Sequence, residues 1–423
     1  MKSLRKRLNL MSMKSGIFKI VVLSLLCPIL FGGRAVAQPT EQTEYRRSSL
    51  YSILIAHPEF RYGEEIAEVF ETIPIPEKFN DHNLNRRVLN TVVYDKKGKE
   101  EPVYISRFLD KNAIARRLVA KWYNRQKGSG AFDMGLIQER GYYNASFRDI
   151  QLAEKDIRGY AQQADAGDEL IQNTFVLVND IYYVDKELQA QKWALALDVI
   201  ATVADAAAGR STGLKDIAGI VREIEGFRVI VVSHLYKLNF SEEVMWEFYN
   251  DYYFDQSTLD PARKTKFDQC VDLFKLEYVG SQVVSSGKTS IKGVNTDTPE
   301  QMIKKVCTRA IDKSIVELQR ENEVFRVKTP LYTTGPAITA KIGLKEGVSE
   351  SSRYEVLLRK EVDGRTKYER QGVIRPVKGL IWDNRYMSVE ELAENATLDA
   401  TTFEVVSGCG NLFPGMLIRE IKM

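Results

Sequence analysis

Two alternating apolar runs, separated by a segment with helical spacing, limit what this chain can fold into more than any other feature. The first is Phe175-Val176-Leu177-Val178, continuing through Ile181-Tyr182-Tyr183-Val184. The second is Phe227-Arg228-Val229-Ile230-Val231-Val232, continuing through Leu235-Tyr236-Lys237-Leu238. Strands on either side of a helical insertion can be neighbours in one sheet, with the insertion projecting from an edge or packed over a face. Between them Trp193, Leu197, Ile200, Ala204 and Ala207 recur at helical spacing. After a turn at Gly209-Arg210-Ser211-Thr212-Gly213, a second stripe follows at Leu214, Ile217, Ile220, Val221 and Ile224. The pattern predicts an αα-hairpin over 187–225, with small residues that let two helix backbones approach closely.

The start of the chain carries an export pattern. Basic residues (Lys2, Arg5, Lys6, Arg7, Lys14, Lys19) precede an apolar core at 20–31, and Ala35-Val36-Ala37 supplies the small-x-small site for cleavage before Gln38. The core is too short for a stable membrane-crossing helix, which needs roughly 20 residues. Leu26 ahead of Cys27 makes a poor lipidation signal. Cleavage removes seven of the 60 basic side chains and no acidic one, leaving 53 against 57 and a balance of −4. The basicity of the whole chain is thus an export feature, and nothing suggests a nucleic-acid footprint. No later apolar run is long enough to span a membrane. The mature part retains Cys270, Cys307 and Cys409; a Cys270–Cys307 disulfide and free buried thiols both remain open in an oxidising compartment.

Along the mature chain, Ser48 or Ser49 reads as the cap of a helix through Leu50, Ile53, Leu54 and His57, ended by Pro58. A second helix is expected over 62–70 with Ile66, Val69 and Phe70 on one face, and an extended connector at Ile73-Pro74-Ile75-Pro76. Residues 88–94 read as a strand paired with another near Val103-Tyr104-Ile105. Residues 112–123 form an amphipathic helix burying Ile114, Leu118, Val119 and Trp122. Residues 242–254 look helical and unusually aromatic, and 273–279 read as a strand followed by a polar loop. Thr298-Pro299-Glu300 opens a helix whose stripe is Ile303, Val306, Cys307, Ala310, Ile311, Ile315 and Leu318.

After 330 the texture changes to short strand patterns at 338–342, 354–358, 372–374, 403–406 and 416–421, with Asp363-Gly364 as a hairpin signal; Glu390-Glu391-Leu392-Ala393 suggests one helical turn. The fold class is therefore α+β. A mixed-sheet α/β domain over 48–329, with its inserted αα-hairpin, follows a signal at 1–37 and a flexible leader at 38–47, and a small β-barrel-like domain occupies 330–423.

Three stretches carry a resemblance: Asp165-Ala166-Gly167-Asp168-Glu169-Leu170-Ile171-Gln172-Asn173-Thr174, Lys78-Phe79-Asn80-Asp81-His82-Asn83 and Gly379-Leu380-Ile381-Trp382-Asp383-Asn384-Arg385. Through them the chain resembles a family of exported proteins of Bacteroidota, which implies an envelope protein and brings no activity with it. The order of an α/β domain, then Ile342-Gly343-Leu344-Lys345-Glu346-Gly347 and a small barrel, is similar in layout to envelope assembly proteins related to the flagellar T-type component and the curli secretion channel family.

No motif names a reaction. His57, His82 and His234 are far apart and none has metal-ligand spacing. Ser233 and His234 are successive on a predicted strand and point to opposite faces, so they make no nucleophile–base pair. Asp81-His82 is the best candidate for catalysis, against a turn network as the plainer reading. Gly287-Lys288-Thr289 lacks the glycine spacing of a phosphate loop and reads as a polar loop. Aromatic residues fall on both sides of the helix at 242–254, more than one core face absorbs, which makes Trp246, Tyr249, Tyr252 and Tyr253, with Trp193 of the insertion, candidate contact residues. The expectation is a periplasmic or outer-membrane-associated protein, without cofactor, metal or catalytic site, that acts through an envelope partner or self-association. Glycan binding through exposed aromatics is the alternative.

Overall fold

In a computed structural model, residues 48–89, 105–144, 170–184, 227–288, 298–362, 365–388 and 398–421 are described. The expected strands form at Thr174–Tyr183 (β4) and Phe227–Asn239 (β5) and pair directly, antiparallel. The hairpin expected over 187–225, with Trp193, lies outside the described residues, as do the signal, the leader and the turn at 390–393.

β4 lies parallel to β1 (Ser48–Ile55), which also pairs in parallel with β2 (Phe79–Asp81) and β3 (Val88–Leu89). Beyond β5 comes β6 (Lys275–Lys288), antiparallel to it. The result is a mixed sheet in the order β2-β1-β4-β5-β6, with β3 beside β1. Three sequence expectations are corrected here. Residues 48–55 are a strand and not a helix, because every residue from Ser49 to Ile55 is buried and the apolar spacing marks no boundary with water. Val88 pairs with β1, and Ile105 opens a helix instead of a partner strand. The polar stretch after 279 continues β6 as far as Lys288, so Gly287 and Lys288 lie on a strand.

Each face of the sheet is covered. Tyr51, Ile53, Val176, Val178, Tyr236 and Leu238 point to one side. There they meet α2 (Ile105–Lys111), α3 (Ile114–Trp122), α4 (Gly135–Asn144), α5 (Glu242–Asp251) and α6 (Pro261–Gln269). Leu50, Leu54, Phe175, Leu177, Val229, Val231 and Leu235 point to the other side, against α1 (Gly63–Glu71) and α7 (Pro299–Glu321). Helix α7 begins with a capping box: Gln301 N–H donates to the Thr298 hydroxyl at 3.2 Å, and Thr298 N–H donates to Gln301 Oε1 at 2.9 Å. All seven residues of its expected stripe are buried. Cys270 and Cys307 do not pair; they belong to cores on opposite faces of the sheet, and all three described thiols are free.

The remaining strands are β7 (Thr329–Thr334), β8 (Ile338–Ala340), β9 (Tyr354–Val362), β10 (Arg365–Pro376), β11 (Thr401–Gly408) and β12 (Leu417–Glu420). They pair antiparallel around a closed ring, β10-β11-β8-β7-β12-β9, around a core of its own with Val356, Ile374 and Ile418. Val362 opposite Arg365 bears out the hairpin expected at Asp363-Gly364. Sheet and ring lie within one compact unit.

Of the aromatic residues at 242–254, Phe248, Tyr252 and Phe254 belong to the core. Phe248 is fully buried among Tyr123, Phe132, Phe267 and Phe274, because α6 and the 123–132 segment close over the side that the sheet leaves open. Trp246 alone stands out, 73 % exposed. Phe248→Ala is expected to cost about 3–5 kcal/mol in urea unfolding, and Trp246→Ala to stay within about 0.5 kcal/mol. Equal costs would mean that α5 is not seated as described.

Candidate functional site

A cavity of about 460 Å³ lies where the C-terminal end of α7 meets the ring of strands. Five separate segments supply its lining: Lys78 ahead of β2, Gln319 and Arg320 at the end of α7, Arg326 beyond it, Glu346 with Ser349, Ser351 and Ser352, and Glu420 of β12. Arg320 ties the two sides together. Its guanidinium donates to Gly347 O at 2.9 Å and meets Glu317 at 3.2 Å and Glu420 at 3.3 Å. Arg326 donates to the Gln319 and Arg320 carbonyls at 3.0 and 2.9 Å, which satisfies the open end of α7. Lys78 donates to Gln319 Oε1 at 3.2 Å.

Two of the stretches singled out in the sequence interlock beside this cavity. Gly343 lies so close to the Trp382 carbonyl that a Cβ would come within 2.1 Å of it. Leu344 N–H donates to that same oxygen at 2.9 Å, while the Asn384 amide donates to Glu346 at 2.6 Å and accepts from Lys345 N–H at 2.9 Å. Gly347, at φ +73, passes so near Val316 of α7 that no other residue fits without a shift. The Lys78 stretch contributes its lysine to the same cavity. This convergence was invisible in the sequence, because the segments are scattered from Lys78 to Ile421 and no local spacing marks them.

Charge along this seam is desolvated. Asp312, buried on α7, is pushed up to about 6 by burial, an effect that Lys345 and Lys78 oppose and Glu346 and Glu77 reinforce. Burial likewise lowers the Lys78 ammonium, against the pull of Glu346, Asp312 and Glu420.

The other candidate residues are placed as follows. His82 is buried between donors and acceptors: its Nε2–H donates to Leu118 O at 3.0 Å, and its Nδ1 accepts from Arg140 at 2.8 Å. Its ring stacks on Trp122, 4.9 Å away, and burial, then the Arg140 cation, hold its pKa well below the usual histidine range. Asp81 instead accepts from Asn83 N–H on the surface, so the two make no acid–base pair. Trp122 also donates to Thr174 at 2.8 Å, which ties the ends of two sequence stretches into the core. Tyr252 is buried, contrary to its candidacy as a contact residue, and Tyr249 and Tyr253 are half-buried against the same core.

A second polar group crosses the sheet on the α3 side. The His57 ring meets Asp180 at 3.0 Å and Glu59 at 3.2 Å, and His234 shares a 2.7 Å hydrogen bond with Ser281. Ser281 was not singled out in the sequence; a β-bulge brings it to this face. Among the described residues no group of three side chains is arranged to hold a metal ion, and no helix is long and apolar enough to cross a membrane. No protein-family model matches the chain, and no curated protein is significantly similar to it.

Because the folded pKa of Asp312 lies above its ordinary 3.8, ionising it costs stability that is fully lost above about pH 6 and recovered near pH 4. Asp312→Asn is therefore expected to raise stability at pH 7.5 by up to about 3 kcal/mol, with the gain shrinking to nothing near pH 4. Thermal melts of both proteins across this range measure it; a gain that grows on acidification would contradict the burial described.

Proposed function

We propose that this is an exported protein of the cell envelope that acts by holding a partner protein, not by turning over a substrate. The cavity at the α7 seam carries the proposal. Its size falls within the range of ligand sites, about 300–1,000 Å³, and its lining offers both signs of charge and several hydroxyls. Lys78, Arg320 and Arg326 face Glu317, Glu321, Glu346 and Glu420, with Ser349, Ser351 and Ser352 between them. Such a mixture of donors and acceptors suits an extended polypeptide, whose backbone presents both, better than a highly charged nucleotide or phosphate. Glu317, Arg320 and Glu321 sit on a capped 23-residue helix and Glu420 on a closed ring of strands, so these groups are held before any ligand arrives. In this reading the barrel-like domain over 330–423 faces the partner, in the periplasm or at the outer membrane.

A photoreactive residue placed at Ser351, in the cavity, is expected to give a discrete crosslinked species in intact envelopes. The same residue at Lys313, exposed on α7 and outside the cavity, is expected to give none. Equal labelling at both positions, or none at either, would remove the proposal.

One observation favours a second reading. Trp246 is an exposed indole on the surface of α5, the kind of ring that stacks on sugars. Glycan binding there predicts quenching of tryptophan fluorescence by soluble cell-wall fragments that Trp246→Ala abolishes; an unchanged signal in the wild-type protein would exclude it.

A further inference from the structure

The His57–Asp180–His234 group stands apart from the α7 cavity and has no part in the proposed function. Its two rings sit on either side of one carboxylate. His57 Nε2 is 3.0 Å from Asp180 Oδ1, whereas His234 Nε2 is 3.9 Å from Asp180 Oδ2, beyond hydrogen-bond range. His234 is 1 % exposed, and its Nε2 has no hydrogen-bond partner, so a buried polar atom is left aimed at a carboxylate that is already engaged.

The two rings are anchored differently. His234 lies on β5, and its Nδ1 is held by the Ser281 hydroxyl, which is itself 2.6 Å from the Tyr278 hydroxyl. His57 lies just past β1, in the turn that leads to α1. Its carbonyl accepts from Phe60 N–H at 3.1 Å, its ring stacks on Tyr182 at 4.7 Å, and its Nδ1 is 3.2 Å from Glu59 Oε1. With a carboxylate at each nitrogen, the His57 ring satisfies both contacts only as the imidazolium. His234 has a hydroxyl at one nitrogen and nothing within range at the other, an arrangement that suits the neutral ring.

We propose that Asp180 is shared in competition between these two histidines: it holds His57 while His234 is neutral, and it turns toward His234 when that ring takes a proton, loosening the 57–62 turn. The charged groups acting on the two rings are Asp180 and Glu59. Burial pushes His57 down, but the hydrogen bond and charge of Asp180, with Glu59 behind them, more than offset it and leave the ring above its ordinary 6.5. Burial pushes His234 below 6.5, and Asp180 offsets only part of that. On acidification His57 therefore gains its proton first, and the second proton arrives at a ring whose only nearby anion is already committed. To accept from His234, Asp180 Oδ2 must close a gap of about 1 Å, since charge-assisted N–H···O bonds run about 2.7–2.9 Å. That movement draws on the contact with His57. The two protons thus bind with negative coupling, and the turn before α1 registers the second one.

With three histidines in the whole chain, ring resonances of the full-length protein can be followed by NMR across pH 4–9 and assigned with single substitutions. His57→Gln frees Asp180 and is expected to move the His234 midpoint up by about one pH unit, tenfold in proton affinity. Asp180→Asn is expected to lower the His57 midpoint. In the wild-type protein, which needs no variant to fold, backbone amides of 59–62 should show a second inflection at the His234 midpoint, below that of His57. An unchanged His234 midpoint in the His57→Gln protein would overturn the proposal, and so would a single inflection in the wild-type turn.

Discussion

Helix α7 is buried against two unlike surfaces at once, and the rest of the molecule is arranged around that fact. One side lies on β5 and β6 through Ile303, Val306, Ala310 and Ile315; the end of the helix meets the ring of strands through Arg320. A helix covered on one side alone can leave its opposite face polar and solvated. This one buries Lys305, Asp312 and Ser314 as well as its apolar stripe. Desolvating charges is costly unless each finds a partner, and removing one member of a buried pair costs more than the pair contributes. The seam is accordingly dense with ties: Arg309 to the Tyr386 carbonyl, Arg320 to Gly347 and Glu420, and Arg419 to Glu323 and Glu355. These directional contacts fix the ring relative to the sheet more narrowly than apolar burial alone, which tolerates sliding.

How much of this was legible in the sequence depended on whether an element touches water. β4 and β5 could be read because β-branched and aromatic residues crowd them, α3 because its wet side gives the 3.6-residue period its meaning, and α7 because Thr298-Pro299 marks where it starts. β1 has no wet side over most of its length. Leu50, Ile53 and Leu54 happen to fit helical spacing, and the polar Ser52 between them looks like a solvent side although it is buried too. Periodicity reports a boundary, and a strand inside two cores has none. β6 failed for the opposite reason: Gly280, Ser281, Ser285, Ser286 and Gly287 give it the composition of a loop, and only its pairing along the whole of β5 keeps it extended. β7 was hidden by Pro330, which sits opposite Leu417 in the ring.

The candidate site was less legible than the fold, and this too has a physical cause. A binding cavity assembled from five segments has no local pattern, because each residue's neighbours in sequence answer to a different element. Lys78 precedes a three-residue strand, Arg326 caps a helix end, and Glu346 closes a short turn against Asn384. What could be noticed were glycines and polar residues in unusual density, as in Ile342-Gly343-Leu344-Lys345-Glu346-Gly347. The structure gives these their reasons, since one glycine faces a carbonyl and the other a helix side chain at distances that exclude a Cβ. The aromatic helix misled in the other direction. Phe248, Tyr252 and Phe254 are core and Tyr249 and Tyr253 are half-buried against it, so of its rings only Trp246 faces solvent.

A single extra residue shows how closely the polar and apolar demands of the sheet are balanced. Leu235 pairs with Gly280 and Tyr236 with Tyr278, so Val279 is a bulge that shifts the pleat by one. Strict alternation from Tyr278, which faces the α3 side, would turn Ser281 toward α7 and its apolar stripe. With the bulge, Val279 packs on the α7 side, Gly280 sits so close to Asn322 that a Cβ would press on its side chain, and Ser281 returns to the face of Tyr278 and His234. A one-residue slip otherwise moves an entire strand to the wrong face. Here it is confined to one position, and Val284 still reaches the α7 core further along. The chain of hydroxyl, imidazole and carboxylate that crosses four strands therefore depends on a defect in the pleat. Without the bulge the same residues would leave His234 with neither nitrogen held.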